Sequence, residues 1–449
     1  MASTRGEFSS RFGFIMAAAG SAVGLGNIWG FPTQAASNGG AAFLIVYLVL
    51  AFTLAYPALM AEIILGRHAH ANAVTALAGL SPQPLLRRVG AGAGIIGFVV
   101  ASLILSFYAI VAGWMIAHCL ASLLDLIGAS AASDWLTSFG LGRNLVFMLL
   151  FMTLTIAIIS AGVRDGIERW SSRLMPVLLL TLIALVIYVL TLEGAMEGLR
   201  VYLMPDFSTA LSPGLIINAL GSAFFSLSLG VGTMLIYGSY ISDRENLPVA
   251  GGLVTAVDIG IAVVAGFLVL PAMYVALANG VEIFAADGSL LSEDTLIFTV
   301  LPELFRTMGV TGGIVSLTFF FLMSVAALTS SISMLEVPVA YTIENHGVQR
   351  RTAVWVIGSA IAALSLLILL NFGALFGLVI TVTTRYSQPL LGFMFCIYVG
   401  WIWRRDSLLE ELRKGSPDIA GSWFWKIWPW HLRLVCPAII LLIFIQSVS

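Results

Sequence analysis

Apolar residues run through this chain in stretches long enough to cross the ~30 Å hydrocarbon layer of a bilayer, which takes about 20 helical residues each. They predict eleven helices, near 11–36, 41–66, 89–124, 144–161, 170–191, 214–240, 247–278, 311–341, 352–371, 374–402 and 430–447. The first opens behind Arg5 and Arg11 and continues past residue 30 with no small-residue cleavage site, so it reads as a retained span and not a signal peptide. The polar segments between spans are short; the longest are 192–213, 279–310 and 403–427. The prediction is an all-α integral membrane protein with a single transmembrane domain over 1–449.

Composition sharpens this. Of the 449 residues 59% are hydrophobic and 10% charged, against roughly 25% charged in soluble domains, which excludes a water-soluble enzyme. The formal net charge of -2 gives no field that would recruit nucleic acid. Cys119, Cys396 and Cys436 lie in apolar stretches and read as packed thiols. With the N-terminus inside, 17 of the 21 basic residues fall in cytoplasmic segments, so the positive-inside rule places the N-terminus in the cytoplasm and the C-terminus outside the inner (plasma) membrane.

Two spans carry glycine clusters: Gly20, Gly24 and Gly26, followed by Asn27, in the first, and Gly221, Gly230 and Gly232 in the sixth. Singly, such clusters often serve close helix packing. Paired, at the starts of two successive five-span halves, they point to an inverted-repeat transporter with a first repeat at about 11–191, a second at about 214–402 and an extra helix at about 430–447. Broken helices at this depth are tolerated only where they are buried or line a cavity. Freed amides attract a carboxylate and freed carbonyls a bare cation, so a small zwitterion with sodium is the expected cargo.

The run from Gly20 to Trp29, GSAVGLGNIW, followed by Phe31-Pro32, resembles the first-helix signature of the neurotransmitter:sodium symporter family, the LeuT fold. Asn38-Gly39-Gly40, Phe107-Tyr108, the run from Gly166 to Arg169, Pro205-Asp206-Phe207, the run from Phe224 to Gly230 and that from Ala326 to Ser331 extend the likeness over ten spans. Eleven helices are a form seen among bacterial members. The resemblance implies sodium-driven import of a neutral, apolar amino acid by alternating access through broken helices 1 and 6.

Carried over by that resemblance, one sodium ion uses the carbonyl of Ala22, the side chains of Asn27, Ser226 and Asp258, and the substrate carboxylate. A second uses the carbonyls of Gly20, Val23 and Ala326 with the hydroxyls of Thr329 and Ser330. Hydroxyls such as these usually bond their own helix, and only displaced carbonyls from another helix turn them into cation ligands. The substrate meets Ser21, Ala22, Leu25, Gly26, Ile104, Tyr108, Phe225, Ser226, Ser228, Val231, Ser330 and Met334, with its carboxylate at the Gly24 to Gly26 amides and the Tyr108 hydroxyl.

Ionisable residues at lipid depth cost roughly 2.5–3.5 kcal/mol each on insertion scales and so need a partner or a purpose. Four stand there: Glu62, Asp258, Glu336 and Arg385. Glu62 matches a second-helix carboxylate bonded to the unwound sixth helix. Glu336 lies toward the inner end of its span, within reach of water, and has no assigned role. Asp258 stands where many members place an asparagine beside chloride, so no chloride is expected; once sodium leaves, the stranded carboxylate can take a proton for the return step. The alternative is an acid paired with Arg385 or hydrogen-bonded throughout.

The family's outer gate pair is missing together, with Gly30 in place of its arginine and Ile380 in place of its aspartate. Arg385, five residues deeper, is the candidate replacement cation. On the inner side Arg5 and Glu344 match the family's gate pair, with Tyr240 as supporting aromatic and Phe8 where a tryptophan is usual. Rival readings are the same fold carrying taurine, betaine or another amine, a sensor, or a channel. No catalytic triad, metal cluster or phosphate loop suggests an enzyme. The preferred cargo and the oligomeric state are open.

Overall fold

The computed structural model describes residues 6–204, 212–285, 290–291 and 296–448. Among them it is helical, apart from loops and a single bridge between Phe284 and Leu290. Ser10 caps the first helix, α1 (Arg11–Ala22), accepting from the Gly13 amide, and α2 (Gly26–Ser37) continues it after a 58° bend. The long apolar helices are α3 (Ala41–Ala69), α4 (Pro84–Leu126), α5 (Leu141–Ser160) and α6 (Val163–Val189). A second interrupted pair follows, α7 (Pro213–Ser226) and α8 (Thr233–Gly238). Then come α9 (Leu247–Ala278), α10 (Gly309–His346), α11 (Arg350–Leu370), the segmented α12 (372–402) and α13 (Trp423–Gln446).

Eight of these helices are long and apolar enough to cross a membrane and the bent pair α1/α2 makes a ninth. The pair α7/α8 and the run α12, whose helical segments are each too short to qualify alone, are the remaining two of the eleven expected. Most starts move outward, furthest in α6 and α13, which begin at Val163 and Trp423, and Pro84 at the first turn of α4 starts a 43-residue helix. Segments expected as polar loops contain short helices at Ala195–Leu203, Leu301–Thr307 and Arg405–Gly415. The middle one continues the buried apolar turn Leu296–Val300 and buries Leu301, Leu304 and Phe305, so its apolar side is core.

The breaks have local causes. In α1/α2 Val23 leaves the helix with an extended ψ of 102°, freeing the amides of the residues that follow. Between α7 and α8, Ser228 (φ 52°), Gly230 (φ 81°) and Gly232 (φ 81°) all take left-handed conformations, which only glycine adopts without steric cost. Behind the second break the backbones of α3 and α8 touch. A Cβ on Gly66 would lie 2.0 Å from the Leu235 carbonyl oxygen, and one on Gly238 2.4 Å from that of Ile63, a small-residue crossing in which helices meet main chain to main chain.

Candidate functional site

Around the two breaks lies a closed cleft, lined by Ala22, Gly24, Leu25 and Gly26 of the first break, Phe225, Ser228 and Val231 of the second, Ile104 and Tyr108 of α4, Ser330 and Met334 of α10, and Gln388 of α12. Its free space of about 20 Å³ holds little more than one water-sized sphere, so any solute must push the walls apart. The Phe225 ring roofs it: a Cβ on Gly26 would come within 2.7 Å of that ring. A Cβ on Gly24 would lie 2.6 Å from Ser330 Oγ and 2.9 Å from the Tyr108 hydroxyl. The Leu25 amide, freed by the break, donates to Tyr108 OH at 3.3 Å.

Of the residues expected to meet substrate, Ser21 and Ser226 stand behind the lining. Ser21 Oγ donates to Ser333 Oγ (2.7 Å), and its carbonyl accepts from Ser228 Oγ (3.0 Å), tying one break to the other. Gln388, one of the polar residues of its span, lines the cleft although the sequence does not assign it to the substrate. Its amide Nε2 donates to the Leu229 carbonyl at 3.3 Å, and Gly230 is needed beside it, since a Cβ there would strike the Gln388 carbonyl at 2.2 Å. Arg385 lies apart, exposed, with its guanidinium 6.0 Å from the Tyr386 ring; it lines no part of the cleft and does not pair with Asp258. The expectation that it replaces the missing gate cation therefore finds no contact here. Where that gate would stand, a Cβ on Gly30 meets nothing within 4 Å. Rings are packed nearby: Trp29 on Phe298, Phe298 on Trp114, and Phe107 on Phe376 of α12.

Next to the first break Asp258 is fully buried. Asn27 Nδ2 reaches its Oδ1 at 2.7 Å and Ser226 Oγ donates to its Oδ2 at 2.7 Å. Asn27 also reaches Ser226 Oγ (2.8 Å), while its own Oδ1 accepts from the Gly24 amide (3.2 Å). Tyr47 OH donates to Ser226 Oγ at 3.4 Å. Every donor is neutral and, among the described residues, no cation pairs with the carboxylate. A buried charge so placed calls for a counter-ion. These oxygens suit a hard cation.

A second oxygen cluster joins α1 to α10. Ser330 Oγ donates to the carbonyls of Gly20 (3.3 Å) and Val23 (3.1 Å). Thr329 Oγ1 turns instead to its own helix, to Val325 O (3.2 Å) and Ala326 O (3.0 Å), the ordinary habit of a helical threonine. Glu62, also buried, accepts from the Gly230 amide at 2.7 Å through Oε1, as expected of a carboxylate holding the unwound segment.

On the face that holds most of the basic residues, Glu336 is not at a water boundary. It is fully buried, held by Arg350 through Nη1 (2.9 Å) and Nη2 (2.6 Å) and by Tyr240 OH (2.6 Å). Arg350 Nε also reaches the Ile159 carbonyl, so one ion pair fastens α10 and α11 to α5 and to the end of α8. Tyr240 thus serves Glu336, and its carbonyl accepts from Phe8 N at 3.0 Å. Glu344 accepts from the backbone and side-chain nitrogens of Asn72 (2.7 and 2.8 Å). Its expected partner Arg5 lies outside the described residues, as do Pro205, Asp206 and Phe207.

A second network on this face ties Arg67, fully buried, to Glu411 at 2.7 Å. His68 (3.3 Å) and Lys414 (3.0 Å) reach the other oxygen of Glu411. Burial alone would push the Glu411 carboxyl up, but His68, Lys414 and Arg67 outweigh it and hold it at about 2.

The model of the sodium:neurotransmitter symporter family matches residues 5–140 and 136–449. The chain belongs to the sodium:neurotransmitter symporter family. It is 33% identical to an uncharacterised sodium-dependent transporter of Bacillus subtilis, over 99% of this chain and 98% of that one. Another, from Methanocaldococcus jannaschii, is 28% identical over 97% and 89%. The sodium- and chloride-dependent taurine transporter of Rattus norvegicus is 24% identical over 99% and 78%. Among solved structures, that of MhsT in complex with L-phenylalanine superposes with a TM-score of 0.85 at 37% identity, covering 99% of this chain and 100% of MhsT. The symporter therefore has the LeuT fold, depends on sodium and is a transporter, not an enzyme.

Proposed function

We propose that this symporter imports a neutral, apolar amino acid with sodium by alternating access, without chloride and with a proton carried back. The observation that carries the reading is Asp258, a buried carboxylate with only neutral donors around it, beside a glycine-broken helix. In this reading one sodium ion sits among Asp258, Asn27, Ser226, the Ala22 carbonyl and the substrate carboxylate. The other replaces the Ser330 hydrogen bonds at the carbonyls of Gly20 and Val23, with the Ala326 carbonyl and the hydroxyls of Thr329 and Ser330 completing its oxygens. The solute's carboxylate meets the freed amides of Gly24 to Gly26 and the Tyr108 hydroxyl, and its side chain displaces Phe225 from Gly26 and spreads against Ile104, Val231, Met334 and Gln388. The likeness to MhsT, solved with L-phenylalanine, supports an amino acid as cargo.

The basic face is placed in the cytoplasm, with Arg5, Glu344 and Tyr240 at the inner gate and the C-terminus outside. Two sodium ions entering with a zwitterion while one proton returns move one net charge, worth roughly 2.3 kcal/mol at 100 mV. At about 1.4 kcal/mol per tenfold the membrane potential alone then sustains accumulation on the order of fiftyfold. Scintillation-proximity binding of labelled leucine, with and without sodium and against a panel of amino acids, taurine and betaine, tests the proposal. Sodium-dependent displacement by apolar amino acids is the expected result. Displacement by taurine or betaine alone would transfer the reading to those amines, and binding indifferent to sodium would end it.

A further inference from the structure

Six of the eleven tryptophans of the chain fall between residues 401 and 430, a density that marks a membrane–water boundary. Among them lies a cavity of about 240 Å³ between the end of α12, the start of helix Arg405–Gly415 and the N-terminal turns of α13, whose lining includes Trp401, Trp430, Arg404, Arg405 and Arg433. It shares no residue with the cleft.

The three arginines are the reason to regard it as a site. None forms an ion pair with a carboxylate among the described residues. Two of them, Arg405 and Arg433, are held in place by aromatic faces. The Arg433 guanidinium lies 4.1 Å over the Trp401 ring, and that ring's Nε1 donates to the Arg433 carbonyl at 2.8 Å. The Arg405 guanidinium lies 5.4 Å from Trp425 and 5.6 Å from Trp430. Stacking on indole fixes the plane of a guanidinium and leaves its edge donors free for an anion. Helix Arg405–Gly415 starts at the same place, and Arg404 at its cap supplies no side-chain hydrogen bond, so the first-turn amides add further unused donors and the positive end of the helix.

We infer that this cavity binds the phosphate of an anionic phospholipid. The source is a lipid because the tryptophans set the cavity at headgroup depth and because exposed Leu434, Trp401 and Trp430 beside it give acyl chains an apolar wall. Basic pockets between spanning helices on one side of a membrane recognise such headgroups, at roughly 1 kcal/mol per cationic residue, which is about fivefold in affinity for each arginine. The bound lipid clasps α12 to α13 and to the helix between them.

The test is native mass spectrometry of the full chain titrated with phosphatidylglycerol or phosphatidylcholine, for the wild type, Arg433→Gln, and the triple variant Arg404→Gln/Arg405→Gln/Arg433→Gln. The wild type should retain one phosphatidylglycerol in preference to phosphatidylcholine, with the preference cut about fivefold by the single change and abolished by the triple. Circular dichroism melting in the same detergent identifies an unfolded triple variant, in which case the single variant decides. Equal retention of the two lipids by the wild type, or a preference untouched by Arg433→Gln, overturns the inference. Displacement of the lipid by millimolar inorganic phosphate overturns it as well, since the site then takes a free anion.

Discussion

Replacing Asp258 by asparagine changes one atom and removes one charge at full burial. The new side chain's Oδ1 can still accept from Asn27, but its amide nitrogen cannot accept from Ser226, so one charge-assisted hydrogen bond is lost, about 1.5–3 kcal/mol in isolation. That loss is offset by no longer burying an ion, and the fold should survive. The larger effect falls on the cation. A charge about 4 Å from sodium at an effective dielectric constant near 20 contributes about 4 kcal/mol, so sodium affinity should fall on the order of a thousandfold. The assay is scintillation-proximity binding of the labelled amino acid over a sodium titration, in chloride and in gluconate. The wild type should be indifferent to the anion, and Asp258→Asn should regain part of its sodium affinity only with chloride. Unchanged, chloride-insensitive sodium dependence in the variant would refute the assignment of Asp258 as ligand and resident anion.

Arg350→Ala leaves Glu336 charged and buried without its partner, a loss of about 3–5 kcal/mol; thermal unfolding should drop sharply, and Glu336→Gln in the same background should restore part of it. Gly24→Ala places a methyl 2.6 Å from Ser330 Oγ; binding should be abolished in the proximity assay while the far-ultraviolet spectrum stays helical. Gln388→Leu releases the Leu229 carbonyl and should weaken binding about tenfold, the worth of roughly one buried hydrogen bond, read as a shift in the displacement midpoint. Glu411, held at about 2, is depressed in the folded state, so its contribution is complete above about pH 4.5 and is withdrawn as pH falls toward 2. Glu411→Gln should lower stability at neutral pH and flatten the acid limb of a melting-temperature profile.

The two breaks can be read from the chain because their cause is local: Gly230 and Gly232 take backbone angles other residues resist, and the same Gly-x-Gly spacing recurs at Gly24 and Gly26. Asp258 stands out as a charge in an apolar run, and its neighbours Asn27 and Ser226 come from a specific motif. Glu336 is harder. Its partner stands fourteen positions on, brought back by the left-handed cap at Gly347, and periodicity along one helix cannot see across such a turn. Gln388 is visible only as one of the polar residues Thr381, Thr383, Thr384, Ser387 and Gln388 of its span, and nothing local tells which of them borders the cleft. Leu301–Thr307 and the apolar Leu296–Val300 before it are together too short to cross a bilayer, which takes about 20 residues, so a count of spans passes over them.

The Ser330 hydroxyl carries a single proton, and it is spent on the carbonyls of Gly20 and Val23 while the oxygen itself borders the cleft. A cation arriving at those carbonyls must evict that proton, which can then turn toward the solute chamber, Tyr108 or a carbonyl of its own helix. An ion bound there would be felt in the cleft through the rotation of one small rotor. Transport by this chain can begin as a change of hydrogen-bond direction.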